Sequence, residues 1–138
     1  MRRACVFALA VALLVAGCGG KSKPSDKAQI ETVLTTYYTA FGSGDSGGAC
    51  QELAKATKEA LEKAAGGKDC TEVLDAALKR PEYKKIAPTL KGAKVKKVTI
   101  AMDKATARIL VPGLKASTPV ALKKENGAWK IASVAGDG

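Results

Sequence analysis

Histidine is absent from this chain of 138 residues. Without an imidazole no serine or cysteine can be activated in the usual triad, and the commonest metal ligand is missing. Aromatic residues are scarce too: one Trp, three Tyr and two Phe. Only Tyr83 lies within the lysine-rich stretch from 79 to 97, so the stacking platform that single-stranded nucleic acid needs is lacking. Acidic residues number 13 against 23 lysines and arginines, which leaves the chain at +10. No apolar run reaches the roughly 20 residues of a membrane-spanning helix.

The longest apolar run present, "ACVFALAVALLVA" at 4–16, follows Met1-Arg2-Arg3 and stops at Gly17-Cys18. A basic start, a short apolar stretch and small residues at its end are the layout of a secretory leader. Val15-Ala16-Gly17-Cys18 resembles the bacterial lipobox. That resemblance implies cleavage after Gly17, a diacylglyceryl group on the Cys18 thiol and further acylation, such as palmitate, of the new amino terminus. One acyl chain holds a protein only marginally, whereas two or three make release slow. The expected organisation is therefore a lipoprotein signal peptide over 1–17, a lipidated tether over 18–25 and one domain over 26–138. "GGKSKPS" at 19–25 has nothing to bury and reaches at most about 25 Å. The expected location is the extracytoplasmic face of the cell membrane.

Loss of Arg2 and Arg3 with the leader lowers the charge from +10 to +8. The excess is concentrated at 79–97, where eight cations face only Glu82. Lys84, Lys85, Lys94, Lys96 and Lys97 form a candidate anion-docking face for lipid head groups or an acidic envelope polymer; a solvated surface is the plainer alternative. No nucleic-acid partner is expected. Of the cysteines, Cys5 leaves with the leader and Cys18 takes the lipid, so Cys50 and Cys70 remain. In an oxidising compartment their default is a disulfide. Two thiols without histidine make a poor metal site, and neither a metal nor a cofactor is expected.

From Asp26 to about Leu90 the apolar residues follow a helical period. Ile30, Val33, Leu34, Tyr37, Tyr38 and Phe41 make one stripe, opened by Asp26 with Gln29 as a capping box and closed by "GSGDSGG" at 42–48. A second stretch carries Cys50, Leu53, Thr57, Leu61 and Ala64, and a third opens at Asp69 with Glu72 and ends before Pro81. An unbroken helix from Cys50 to Ala64 would advance about 21 Å. Only five residues then return to Cys70, while a disulfide needs α-carbons within about 7 Å. The spacing thus predicts a break near Ala54–Thr57, with Thr57 capping the helix that resumes. From Lys91 onward the period is two. Segments 93–103, 104–111, 118–124 and 128–134 read as strands, joined by turns at Met102-Asp103-Lys104 and Asn126-Gly127. The fold class is α+β: N-terminal helices packed on a curved four-stranded antiparallel meander.

Helices followed by a meander closing on "GAWKI" resemble the nuclear transport factor 2-like, or cystatin-like, superfamily, and small actinobacterial lipoproteins within it. The "VLTTYYTAFGSGD", "MDKATARILV" and "ENGAWKIASV" stretches and the Cys50/Cys70 pair carry the likeness. It implies a pocket between the helices and the concave sheet face, with Tyr37, Tyr38, Phe41, Ile100, Ile109, Trp129 and Ile131 as candidate lining. The fold hosts isomerases, dehydratases, binding modules and assembly domains, so it does not fix an activity. An isomerase-like or dehydratase-like site needs a desolvated carboxylate facing a tyrosine. Asp45, Asp75 and Asp103 lie in a glycine-rich loop, on a polar helix face and in a turn, and none suits that role. The expected function is a non-catalytic binding or interaction domain, anchored by lipid, for a small apolar ligand or an envelope protein. An isomerase-like enzyme, a module docking an anionic polymer and a homodimer through the sheet are the alternatives.

Overall fold

A computed structural model describes residues 22–134. The leader, Cys18 and the first residues of the tether lie outside the described residues. Five helices precede four strands: α1 (Asp26–Gly42), α2 (Ser46–Gln51), α3 (Lys55–Ala64), α4 (Cys70–Leu78), α5 (Pro81–Leu90), β1 (Lys94–Ala101), β2 (Lys104–Leu110), β3 (Thr118–Glu125) and β4 (Ala128–Val134). The sheet is an antiparallel meander in the order β1-β2-β3-β4. This is the α+β arrangement the two periodicities predict.

The stripe on α1 buries Ile30, Leu34, Tyr38 and Phe41. Its cap differs from expectation. Ser25 is the N-cap, its hydroxyl accepting from the Ala28 N–H at 3.2 Å, while the Gln29 amide donates to Pro24 O. Asp26 is thereby free for a distant partner. The loop read as ending at Gly48 is shorter than expected, because Asp45 caps α2 by accepting from the Gly48 N–H at 2.8 Å. Gly48 leaves room for this cap, since a Cβ there would lie 2.3 Å from the Asp45 carboxylate and push it aside. Asp69 and Glu72 form the expected capping box on α4. Pro81 opens α5, where its missing N–H costs nothing.

The predicted interruption exists, but it falls at residues 52–54. Ala54 is the N-cap of α3, with no side-chain cap, and Thr57 does not cap. The Thr57 hydroxyl instead donates to Ala132 O at 2.7 Å. Leu53 forms a parallel bridge with Ile131, the Ala54 N–H donates to Ile131 O at 2.8 Å, and the Ile131 N–H donates to Glu52 O at 2.9 Å. The interruption thus covers the edge of β4, which would otherwise present unpaired backbone. Cys50 and Cys70 are joined as expected, with α-carbons 6.1 Å apart.

Two bulges set the inner face of the sheet. Val95 pairs with Ile109, Lys97 with Arg108 and Val98 with Ala107, so Lys96 is the extra residue. It lets Val95 and Val98, three apart, point to one side although the strand period is two. A second shift between Leu122↔Ile131 and Ala121↔Ser133 leaves Ala132 as the extra residue on β4. Ala105, Ala107, Ile109, Val120, Leu122, Trp129 and Ile131 form a single core with Ile30, Leu34 and Leu53.

Replacing Cys50 and Cys70 together by Ala should leave the far-ultraviolet circular dichroism unchanged. It should lower the unfolding free energy by about 3 kcal/mol, the loop-closure value for a ring of this size, measured by urea titration.

Candidate functional site

Four of the six aromatic residues meet on one side of the helical layer. On α1, Tyr37 and Phe41 are one turn apart and stack, with ring centres 6.0 Å apart and planes within 4°. Tyr38 meets the Tyr37 edge at 5.3 Å, and Tyr83 of α5 meets the Phe41 edge at 6.0 Å. These rings line an open groove of about 490 Å³ together with Leu53, Thr57, Leu61, Val73, Leu74, Ala77, Arg80, Ile86 and Leu90. Its volume falls within the range of small-molecule sites. The groove lies among the helices, with Leu53 of the 52–54 interruption at its floor.

Tyr38 supplies its buried polar group. The side chain is 8% exposed, and burial alone pushes its hydroxyl up to about 12. No hydrogen bond joins that hydroxyl to another described residue, and it is not sealed from solvent space. Arg80, exposed at the start of α5, is the one charged residue of the lining. No carboxylate belongs to it.

The candidate lining is only partly brought together. Tyr37, Tyr38 and Phe41 share the groove. Ile109, Trp129 and Ile131 are each at most 1% exposed and belong to the filled core between helices and sheet. Ile100 is 39% exposed at the far end of β1. The space expected against the concave sheet is therefore occupied by side chains, and the open volume lies among α1, α3, α4 and α5. Arg80, Tyr83 and Ile86 went unassigned to a pocket in sequence, because Pro81 was read as an end of helix although it begins one.

The carboxylates lie elsewhere. Asp45 caps α2, Asp103 occupies the β1–β2 turn, and Asp75 accepts a hydrogen bond from the buried Ser46 hydroxyl across the α2–α4 contact. Among the described residues no cluster could hold a metal ion. Lys84 and Lys85 on α5 and Lys94, Lys96 and Lys97 on β1 are all exposed, and none forms an ion pair among the described residues. On β1 they also guard a sheet edge, since lysine there disfavours pairing with another chain. The outer sheet face holds a shallower depression of about 320 Å³, with Thr99, Thr106, Ala121 and Ala132 along it and Lys104 and Lys123 beside it.

Asp26 makes the main polar link between the layers. Its carboxylate accepts from Lys124 Nζ at 2.7 Å and from the Trp129 indole N–H at 3.0 Å, and the Lys124 ammonium lies 5.3 Å from the Trp129 ring. The hydrogen bonds from Lys124, then Trp129, hold the Asp26 carboxyl below its ordinary 3.8. Glu125 is lowered in the same way by Lys123 and then by the Lys55 N–H.

No family model matches this chain, and no curated protein matches it. Among solved structures it is similar to a Campylobacter jejuni protein described as an NTF2-like transpeptidase. The TM-score is 0.52 with 22% identical residues, covering 79% of this chain and 99% of that one. At that identity the likeness shows the fold alone. The chain has a nuclear transport factor 2-like fold.

Because the folded pKa of Asp26 is depressed, its contribution is complete above 3.8 and is lost as pH falls through the lowered value. Asp26→Asn should therefore lower the thermal midpoint at pH 6, and the difference from the parent protein should shrink as pH falls below 3.8. Scanning calorimetry at both pH values measures this.

Proposed function

We propose that the chain is a lipid-anchored, extracytoplasmic, non-catalytic binding domain, and that the helix-lined groove takes a small amphiphile with a long apolar part and an anionic head. The carrying observation is a groove walled by four aromatic rings and by leucines, with the Tyr38 hydroxyl on its lining and Arg80 as its only charge. Solvent reaches that hydroxyl, so a ligand oxygen takes the place of water as its hydrogen-bond partner. An anionic head suits Arg80 by charge-assisted hydrogen bonding, while the rings and leucines desolvate the tail.

The anchor rests on Val15-Ala16-Gly17-Cys18 and on the leader preceding it. No helix among the described residues is long and apolar enough to cross a membrane. Binding is favoured over proton transfer because the groove has no carboxylate beside its tyrosines. The transpeptidase description belongs to the C. jejuni protein. Among the described residues here both cysteines are bonded to each other, and the buried Ser46 is held by Asp75 with no histidine in the chain. Those features supply no activated nucleophile.

Titration of the full chain with a dansyl-labelled undecanoic acid, followed by emission, tests the groove. Tyr38→Phe and Arg80→Glu should keep the thermal midpoint. Arg80→Glu should weaken the acid roughly tenfold, the smaller end of a charged hydrogen bond, and leave the uncharged methyl ester unaffected. Ala77→Trp should block both probes. Unchanged binding by the Ala77→Trp protein would contradict the proposal.

A further inference from the structure

One end of the domain carries apolar side chains that nothing in the fold explains. Met102, in the two-residue turn between β1 and β2, is 92% exposed and has φ of +57°. That left-handed conformation favours glycine or asparagine and strains other side chains. The neighbouring hairpin obeys the rule, with Asn126 at +51° and Gly127 at +79°. At Met102 the chain instead combines backbone strain with an apolar side chain in water. Ile100, two residues earlier, is 39% exposed at the end of β1. Strain retained at an exposed position is a pointer to function.

The position of this turn names its partner. Antiparallel pairing puts the β1–β2 and β3–β4 turns at the same end of the sheet. The Lys124 N–H donates to Asp103 O at 2.7 Å, and the Lys124 ammonium binds Asp26, the first residue of α1. The chain therefore enters the domain beside Met102. From Cys18 to Asp26 the backbone can span at most about 28 Å. Lys23 and Lys104 have no ion-pair partner among the described residues, and both lie in or beside this end. The opposite end holds the α1 C-terminus, where Gly42 approaches Ala87 and Lys91, and the β2–β3 connection with the half-exposed Leu114.

We propose that the β1–β2 turn is a membrane-contact tip: Met102 and Ile100 enter the interface of the anionic leaflet that holds Cys18, with Lys23 and Lys104 beside the phosphate groups. This rests on the anchoring half of the proposed function. It fixes the domain's orientation, with α1 running away from the bilayer and the sheet standing on its β1–β2 and β3–β4 turns. Asp103 separates Met102 from Lys104, so the apolar side chains of Met102 and Ile100 supply the insertion, and Lys23 and Lys104 add attraction to anionic lipid.

Full-length Met102→Trp and Leu114→Trp proteins, purified from their own membranes, are reconstituted in phosphatidylglycerol vesicles containing a chain-brominated phosphatidylcholine. The parent protein, whose Trp129 is 1% exposed, gives the background. Trp at 102 should lose about half of its added emission, because an interfacial side chain sits roughly 5–10 Å below the head groups, within reach of bromine. Trp at 114 should lose none. If the protein does not float with the vesicles, the anchoring falls and the tip with it. If it floats and Trp at 102 is unquenched, or no more quenched than Trp at 114, the tip alone is wrong. Met102→Asn should raise the thermal midpoint by relieving the turn; a fall would show that Met102 packs within the domain and would overturn the inference.

Discussion

Residues 52–54 leave the helical path and lie along the free edge of β4, and the other elements take their places from that stitch. Two backbone hydrogen bonds, Ala54 to Ile131 and Ile131 to Glu52, replace those the helix gives up. Thr57 adds a third contact through its hydroxyl to Ala132. The bond between Cys50 and Cys70 then returns the chain over α3 to α4. Because α3 is pinned at its start and buries no residue completely, α4 and α5 reach the aromatic side of α1 without closing over it. The groove is what remains uncovered.

A second link, from Asp26 to Lys124 and Trp129, joins the first turn of α1 to the last hairpin. It fixes the direction of α1 across the sheet, and with it the side of the molecule on which Tyr37, Tyr38 and Phe41 emerge. Trp129 is thus a core residue with one polar tether, as a buried indole requires. Binding, on this account, belongs to the helices, and the sheet serves as a floor.

Much of the architecture was legible from periodicity. The α1 stripe, the capping box at Asp69, the meander and the Asn126-Gly127 turn are local patterns, and each appears where the residues place it. The break in the helical half was legible only through the geometry of Cys50 and Cys70, which required a return without giving its register. Thr57 was misread because a hydroxyl at a helix start usually caps, whereas here a sheet edge 74 residues away competes for it. Asp26 was misread for the same reason: Ser25 took the cap, and a distant lysine took the carboxylate. The pocket was misplaced because period-two alternation shows which side chains face inward but not whether facing helices fill the space between. Ile109, Trp129 and Ile131 fill it; Tyr38 faces a volume that only the arrangement of α4 and α5 defines.

The mass of the native protein, released from its own membranes under conditions that preserve noncovalent complexes, reads the anchor and the occupant of the groove together. The expected species is a chain beginning at Cys18 with an acyl-glycerol adduct, one intact disulfide and a fraction carrying an anionic amphiphile. A chain beginning at Met1 without lipid, or a lipidated chain that never retains or accepts an amphiphile, would contradict the proposed function.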